Sequence, residues 1–122
     1  DDEAPLKKAP KIYREDRRID WNREARVIFD KVRGLCPYPT AFTRMKDPHG
    51  KEVEVKIYGA EYMDVQHNLV PGTIESDGKS YMTIAARYGK LRITDLQLSG
   101  KKRMQTEDFL RGFQNPEIYL AT

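Results

Sequence analysis

Two periods of hydrophobicity run along this chain, one after the other. In "REARVIFDKVRGL" (23–35) the apolar residues Ala25, Ile28, Phe29, Val32 and Leu35 recur at intervals of 3, 1, 3 and 3, which predicts one buried face of a helix. Asn22 reads as its N-cap, Glu24 complements the helix dipole, and Lys31 and Arg33 sit near its C-terminus. Gly34 and Pro37 then end it. From Ala41 onward the period is two. "AFTRM" (41–45) predicts a strand, and "DPHG" (47–50) a turn into a second strand, in which Val53, Val55 and Ile57 alternate with charged neighbours up to a bend at Gly59. "PGTIES" (71–76) opens a third strand, and "SDGK" leads into a fourth, "SYMTIAA", with Met82, Ile84 and Ala86 on one face.

The fifth strand, "LRITDLQL", changes parity part-way. Leu91 and Ile93 lie on one side, Leu96 and Leu98 on the other. Because side chains alternate strictly, such a switch predicts a bulge near Thr94–Asp95, a device that curls a sheet. Thr106 reads as the cap of a short C-terminal helix, "EDFLRGF". The expected fold is therefore mainly β: a small OB-like five-stranded β-barrel with one flanking N-terminal helix and a short C-terminal helix. Trp21 and Phe29 are expected in its core, and Tyr62, Tyr81 and Tyr88 along the core's edge. Residues 1–18, with Pro5, Pro10 and many charges, read as an interdomain linker, leaving 19–122 as the folded domain.

Charge changes this picture more than composition does. The net charge of the 122 residues is only +3. Between Pro5 and Arg18, however, six cations (Lys7, Lys8, Lys11, Arg14, Arg17 and Arg18) face only Glu15 and Asp16. Between Ala85 and Arg103, six more (Arg87, Lys90, Arg92, Lys101, Lys102 and Arg103) face only Asp95. A single charge run is what an ordinary solvated face looks like. Two runs on a barrel fold point instead to a polarised surface and a polyanionic partner. Lys101, Lys102 and Arg103 stand consecutively at a strand end, where mutual repulsion is tolerated only in water or against an anion.

Other chemistry is sparse. His49 and His67 are the only histidines and have no second His or Cys at ligand spacing, so no metal site is expected. Cys36 lies in a proline-flanked stretch with no evident base beside it and reads as a bystander rather than a nucleophile; as the single cysteine it fits a reducing compartment. "DGK" and "YGK" are hairpin turns, not phosphate loops. No catalytic constellation is expected, and no membrane span. The chain starts at Asp1, without an initiator methionine, as an excised piece of a longer protein or a trimmed chain would.

Three stretches resemble one enzyme family. "KIYREDRRIDW" (11–21) is similar to the linker-to-domain junction of the methionyl-tRNA formyltransferases, and "PYPTAFT" (37–43) to their step from helix to first strand, with Thr40 where the family would have glycine. "LQLSGKKRMQTEDFLRG" (96–112) is similar to their closing strand, Gly-Lys-Lys run and last helix, and "PGTI" (71–74) agrees. The resemblance implies a C-terminal, OB-like domain whose enzyme moves a formyl group from 10-formyltetrahydrofolate to methionine on initiator tRNA. It places catalysis and the folate co-substrate on an N-terminal domain outside this chain, with no cofactor here and a cytoplasmic location. It implies that Lys101, Lys102 and Arg103, with Lys11 and Arg14 on the linker side, contact tRNA phosphates. Two other readings stay open: the related domain of a sugar-nucleotide or folate formyltransferase, and a purely structural module packed on the catalytic domain.

Overall fold

A computed structural model describes residues 17–36 and 40–122. The helix α1 (Ala25–Leu35) precedes five strands: β1 (Ala41–Lys46), β2 (Glu52–Met63), β3 (Ile74–Ser76), β4 (Met82–Ala85) and β5 (Lys90–Leu98). These are the five expected from the sequence. Two short strands join the same sheet, β6 (Arg103–Gln105) and β7 (Leu120–Ala121), flanking α2 (Thr106–Gly112) and a 3-10 turn at Pro116–Ile118.

The sheet runs β3-β4-β5-β2-β1-β7, with β6 added beside β5. Its two ends meet. Thr73, just before β3, bridges antiparallel to Leu120 of β7, and Ala121 N–H donates to the Gly72 carbonyl at 2.9 Å. The sheet thus curls into a nearly closed barrel, and closure removes the exposed edges that an open sheet presents.

The parity switch in β5 is a double irregularity. Ile57 faces Leu96, Gly59 faces Asp95 and Ala60 faces Ile93, so Tyr58 is the extra residue on β2 and Thr94 the extra one on β5. Leu91, Ile93 and Leu96 all remain in the core as a result. Against them pack Ala25, Ile28 and Val32 of α1, with Phe29 and Leu35 half-buried at the margin.

Several local expectations are corrected. Glu24, not Asn22, occupies the N-cap of α1 and makes no side-chain cap bond. Backbone pairing sets that boundary instead: Ala25 N–H donates to the Tyr88 carbonyl at 2.8 Å, and Arg87 N–H to the Arg23 carbonyl at 3.1 Å. The first orphan amide of the helix is thus satisfied by a carbonyl distant in sequence. Thr106 is the first residue of α2 rather than its cap, and its hydroxyl donates to the Ile93 carbonyl at 2.6 Å. Tyr62 and Tyr88 are exposed, and only Tyr81 is half-buried. Thr40, the residue standing where the resemblance has glycine, holds φ +76° while fully buried. The backbone keeps a left-handed conformation that a β-branched residue adopts only under constraint.

Trp21 is buried, and its indole N–H donates to the Thr43 hydroxyl at 2.9 Å. Thr43 in turn donates to the Thr122 carbonyl at 3.1 Å, tying the segment before α1 to the end of the chain.

Candidate nucleic-acid interface

The β5–β6 hairpin presents the run Lys101-Lys102-Arg103. Leu98 through Lys101 form a tight turn closed by Lys101 N–H on the Leu98 carbonyl at 2.9 Å. Gly100, at its third position, has φ +81°, as a type II turn requires. Ser99 N–H donates to the Glu54 carbonyl at 3.0 Å, which moors the turn to β2.

The three cations are not equivalent. Lys101 and Lys102 are exposed and form no ion pair among the described residues. Arg103 is engaged: its Nε reaches both Asp95 carboxylate oxygens at 3.1 Å and its Nη2 reaches one at 2.8 Å. The same guanidinium lies 4.2 Å over the Tyr58 ring. The hydrogen bonds to Asp95 push the Arg103 pKa further up, so its charge is permanent but locally neutralised.

Beside the turn lies a cavity of about 220 Å³ lined by Arg17, Glu54, Lys56, Gln97, Ser99 and Gly100. Arg17 reaches it from the end of the linker-like segment, donating to the Thr40 carbonyl at 3.4 Å and lying 5.7 Å over the Phe42 ring. Lys56 projects from β2, opposite Gln97 of β5. Among the described residues the groove carries one acid, Glu54, which pairs with Arg44 at 3.9 Å.

Folding therefore brings one end of the first basic run, Arg17, to the same groove as the Gly100 turn. Lys11 and Arg14 lie outside the described residues. Arg87 and Arg92, counted in the second run, line other cavities, with Asp64, His67 and Tyr88 in one case and Ser80 and Glu107 in the other. Lys90 is spent on Glu75 at 2.6 Å. Arg17 and Lys56 were absent from the candidate residues. Lys56 could have been found from its place on the polar face of an alternating strand, but its closeness to the turn depends on the β2–β5 register.

The remaining candidates for chemistry have structural uses. His67 Nε2 lies 3.0 Å from the Gly89 carbonyl, and its Nδ1 accepts from Leu69 N–H at 3.0 Å, pinning the loop after β2. Cys36 follows α1, its N–H donating to the Val32 carbonyl. No group of three or more His, Cys, Asp or Glu among the described residues could hold a metal ion. No helix among them is long and apolar enough to cross a membrane.

Comparison with known proteins places this geometry in a family. Residues 11–114 match the family described as formyl transferase, C-terminal domain. The chain belongs to that family. It is 48% identical over 97% of its length to the methionyl-tRNA formyltransferase of Parabacteroides distasonis, covering 36% of that protein. The same enzyme of Bacteroides fragilis is 43% identical over 93% of the chain, which covers 35% of it. That of Staphylococcus aureus strain MW2 is 41% identical over 88%, the chain covering 33% of it. These matches bear out the resemblance read from residues 11–21, 37–43 and 96–112. The chain spans about a third of the length of these relatives. A solved structure of HypX from Aquifex aeolicus shares the fold, with TM-score 0.59 and 24% identity over 84% of this chain and 18% of that one.

Proposed function

We propose that this chain is the tRNA-positioning C-terminal domain of a methionyl-tRNA formyltransferase, acting in translation initiation in the cytoplasm. The observation that carries the reading is the 48% identity to an enzyme of that name across 97% of the chain. On this reading, residues 1–18 link the domain to an N-terminal catalytic portion. That portion, outside this chain, binds 10-formyltetrahydrofolate and formylates the methionine on initiator tRNA.

The domain contributes no reacting group. Its part is to hold a large polyanion so that the acceptor end falls where catalysis occurs. The exposed pair Lys101–Lys102, the groove cations Arg17 and Lys56, and Lys11 and Arg14 of the linker supply sequence-independent phosphate contacts. Such contacts fix orientation, and holding the reacting groups in place accounts for a large share of many enzymatic rate enhancements.

A salt titration of the chain against initiator tRNA, with a sulfated polysaccharide as a generic polyanion, tests this. The expected result is salt-sensitive binding that prefers tRNA. Replacing Lys101 and Lys102 together by alanine should flatten the slope of log K against log salt by about 1.5, since each lost phosphate contact removes roughly 0.7 to 0.9. Stability should move by no more than about 0.5 kcal/mol, as is usual for exposed side chains. A parent chain that binds both polyanions equally, or binds neither, sinks the reading and leaves the basic face as an intramolecular interface.

A further inference from the structure

The cations at the β5–β6 turn divide into two kinds, and the divide runs along a connected set of contacts. Arg103 forks onto Asp95 with contacts of 2.8 to 3.1 Å and covers the Tyr58 ring at 4.2 Å. Tyr58 is the bulge residue of β2, and a bulge re-aims a side chain out of the regular alternation. Its hydroxyl donates to Gln97 Oε1 at 3.1 Å. Gln97 then donates through Nε2 to the Lys101 carbonyl at 2.8 Å. The far end of this chain of contacts is the backbone of the turn that carries the two exposed lysines.

We propose that Tyr58, Asp95, Gln97 and Arg103 form a clamp that shapes the Leu98–Lys101 turn before anything binds, so that Lys101 and the adjoining Lys102 contact phosphate while Arg103 is a positioning residue. The proposal rests on the tRNA reading above and revises the role that resemblance alone implies for Arg103. The chemistry supports the division. A guanidinium already paired bidentately with a carboxylate has committed its best-aligned donors, and the carboxylate cancels its field. The two lysines have no such carboxylate partner among the described residues. A turn ordered in advance spares the entropy of fixing it on binding, and freeing even one of its residues should weaken binding by about tenfold.

Three variants of the full 122-residue chain separate clamp from contact, with initiator tRNA as the probe. Gln97→Ala and Tyr58→Phe remove neutral groups. Each is expected to weaken binding by about tenfold without changing the salt slope, because no phosphate contact is lost. Each should also speed hydrogen exchange at the Lys101 amide. Asp95→Asn gives the sharpest contrast. Deleting a negative charge beside the turn favours any anion, so weaker binding by this variant can come only from lost shape. Tighter binding by Asp95→Asn would overturn the proposal, as would Gln97→Ala and Tyr58→Phe variants that bind like the parent. Arg103→Ala provides a further check: the clamp predicts loss of affinity at constant slope, and a slope reduced by about 0.7 to 0.9 makes Arg103 a direct contact instead. If the parent chain itself shows no salt-dependent preference for tRNA, the functional reading fails. The phosphate-presenting role fails with it, whatever the exchange rates report.

Discussion

Gly72 and Gly100 share a backbone conformation and little else. Both hold positive φ, +97° and +81°, and both sit where distant segments are tied by backbone hydrogen bonds. At Gly72 the barrel closes. A Cβ there would fall 2.2 Å from the Ala121 carbonyl oxygen, so conformation and space both demand glycine. At Gly100 the hairpin turns, and a Cβ would meet nothing within 4 Å, so only conformation does. The seam is determined by packing and has no freedom left. The turn is determined by its backbone, and its side chains are left to face solvent and charge. A small barrel that presents a charged turn needs both kinds of region, one to hold shape and one to stay open.

The largest expected effects fall on the seam side. Trp21, linked through Thr43 to the Thr122 carbonyl, should cost about 4 kcal/mol on replacement by alanine, the usual loss for a buried large aromatic. Phe29, half-buried at the wall of a separate cavity that Tyr58 and Gly59 also line, should cost about half as much. By hydrophobic pattern alone the two are equal core residues. Urea titration of both alanine variants checks the order, and equal losses would show that the half-buried ring packs as tightly as the one tied into the seam.

The glycine pair sharpens the contrast. Gly72→Ala combines a left-handed penalty with a backbone clash and should destabilise by about 3 kcal/mol, whereas Gly100→Ala should cost about 1. Matching midpoints for the two variants would show that the seam yields to a methyl group.

The smallest effect is in the β3–β4 turn. The Asp77 carboxylate accepts from the Ser80 hydroxyl at 2.5 Å and from the Lys79 and Ser80 amides at 2.8 and 2.7 Å. The Ser80 hydroxyl leads these in holding its pKa well below the ordinary carboxylate range. A depressed pKa contributes stability that is present above the unfolded value of about 3.9 and is lost as pH falls through the folded value. The turn should therefore stay formed at a pH where ordinary carboxylates are protonated. A carboxyl NMR titration of Asp77 checks it; a midpoint near 4 would mean that these hydrogen bonds do not favour the charged form.

Much of this fold was readable from local pattern. The 3.6 and 2.0 periods marked α1 and five strands, and the parity change in "LRITDLQL" marked the bulge, because burial imposes a period wherever an element has one dry face. The N-cap of α1 was misread because the Tyr88 carbonyl, distant in sequence, satisfies the helix's first amide. β7 was missed because two residues carry no period, and its pairing with the Gly72 region is visible only once the barrel closes.

For the candidate interface, the sequence by itself determined that cations cluster, that three of them stand consecutively at a strand end, and that no metal-ligand spacing is present. Those are properties of neighbours along the chain. Only the tertiary structure decided which cations are spent. The β5–β6 register sets Arg103 beside Asp95, the β2 bulge puts Tyr58 beneath it, and the β2–β5 pairing brings Lys56 toward the turn. Electrostatic pairing depends on distances of a few ångströms between residues far apart in sequence, and charge composition records none of them.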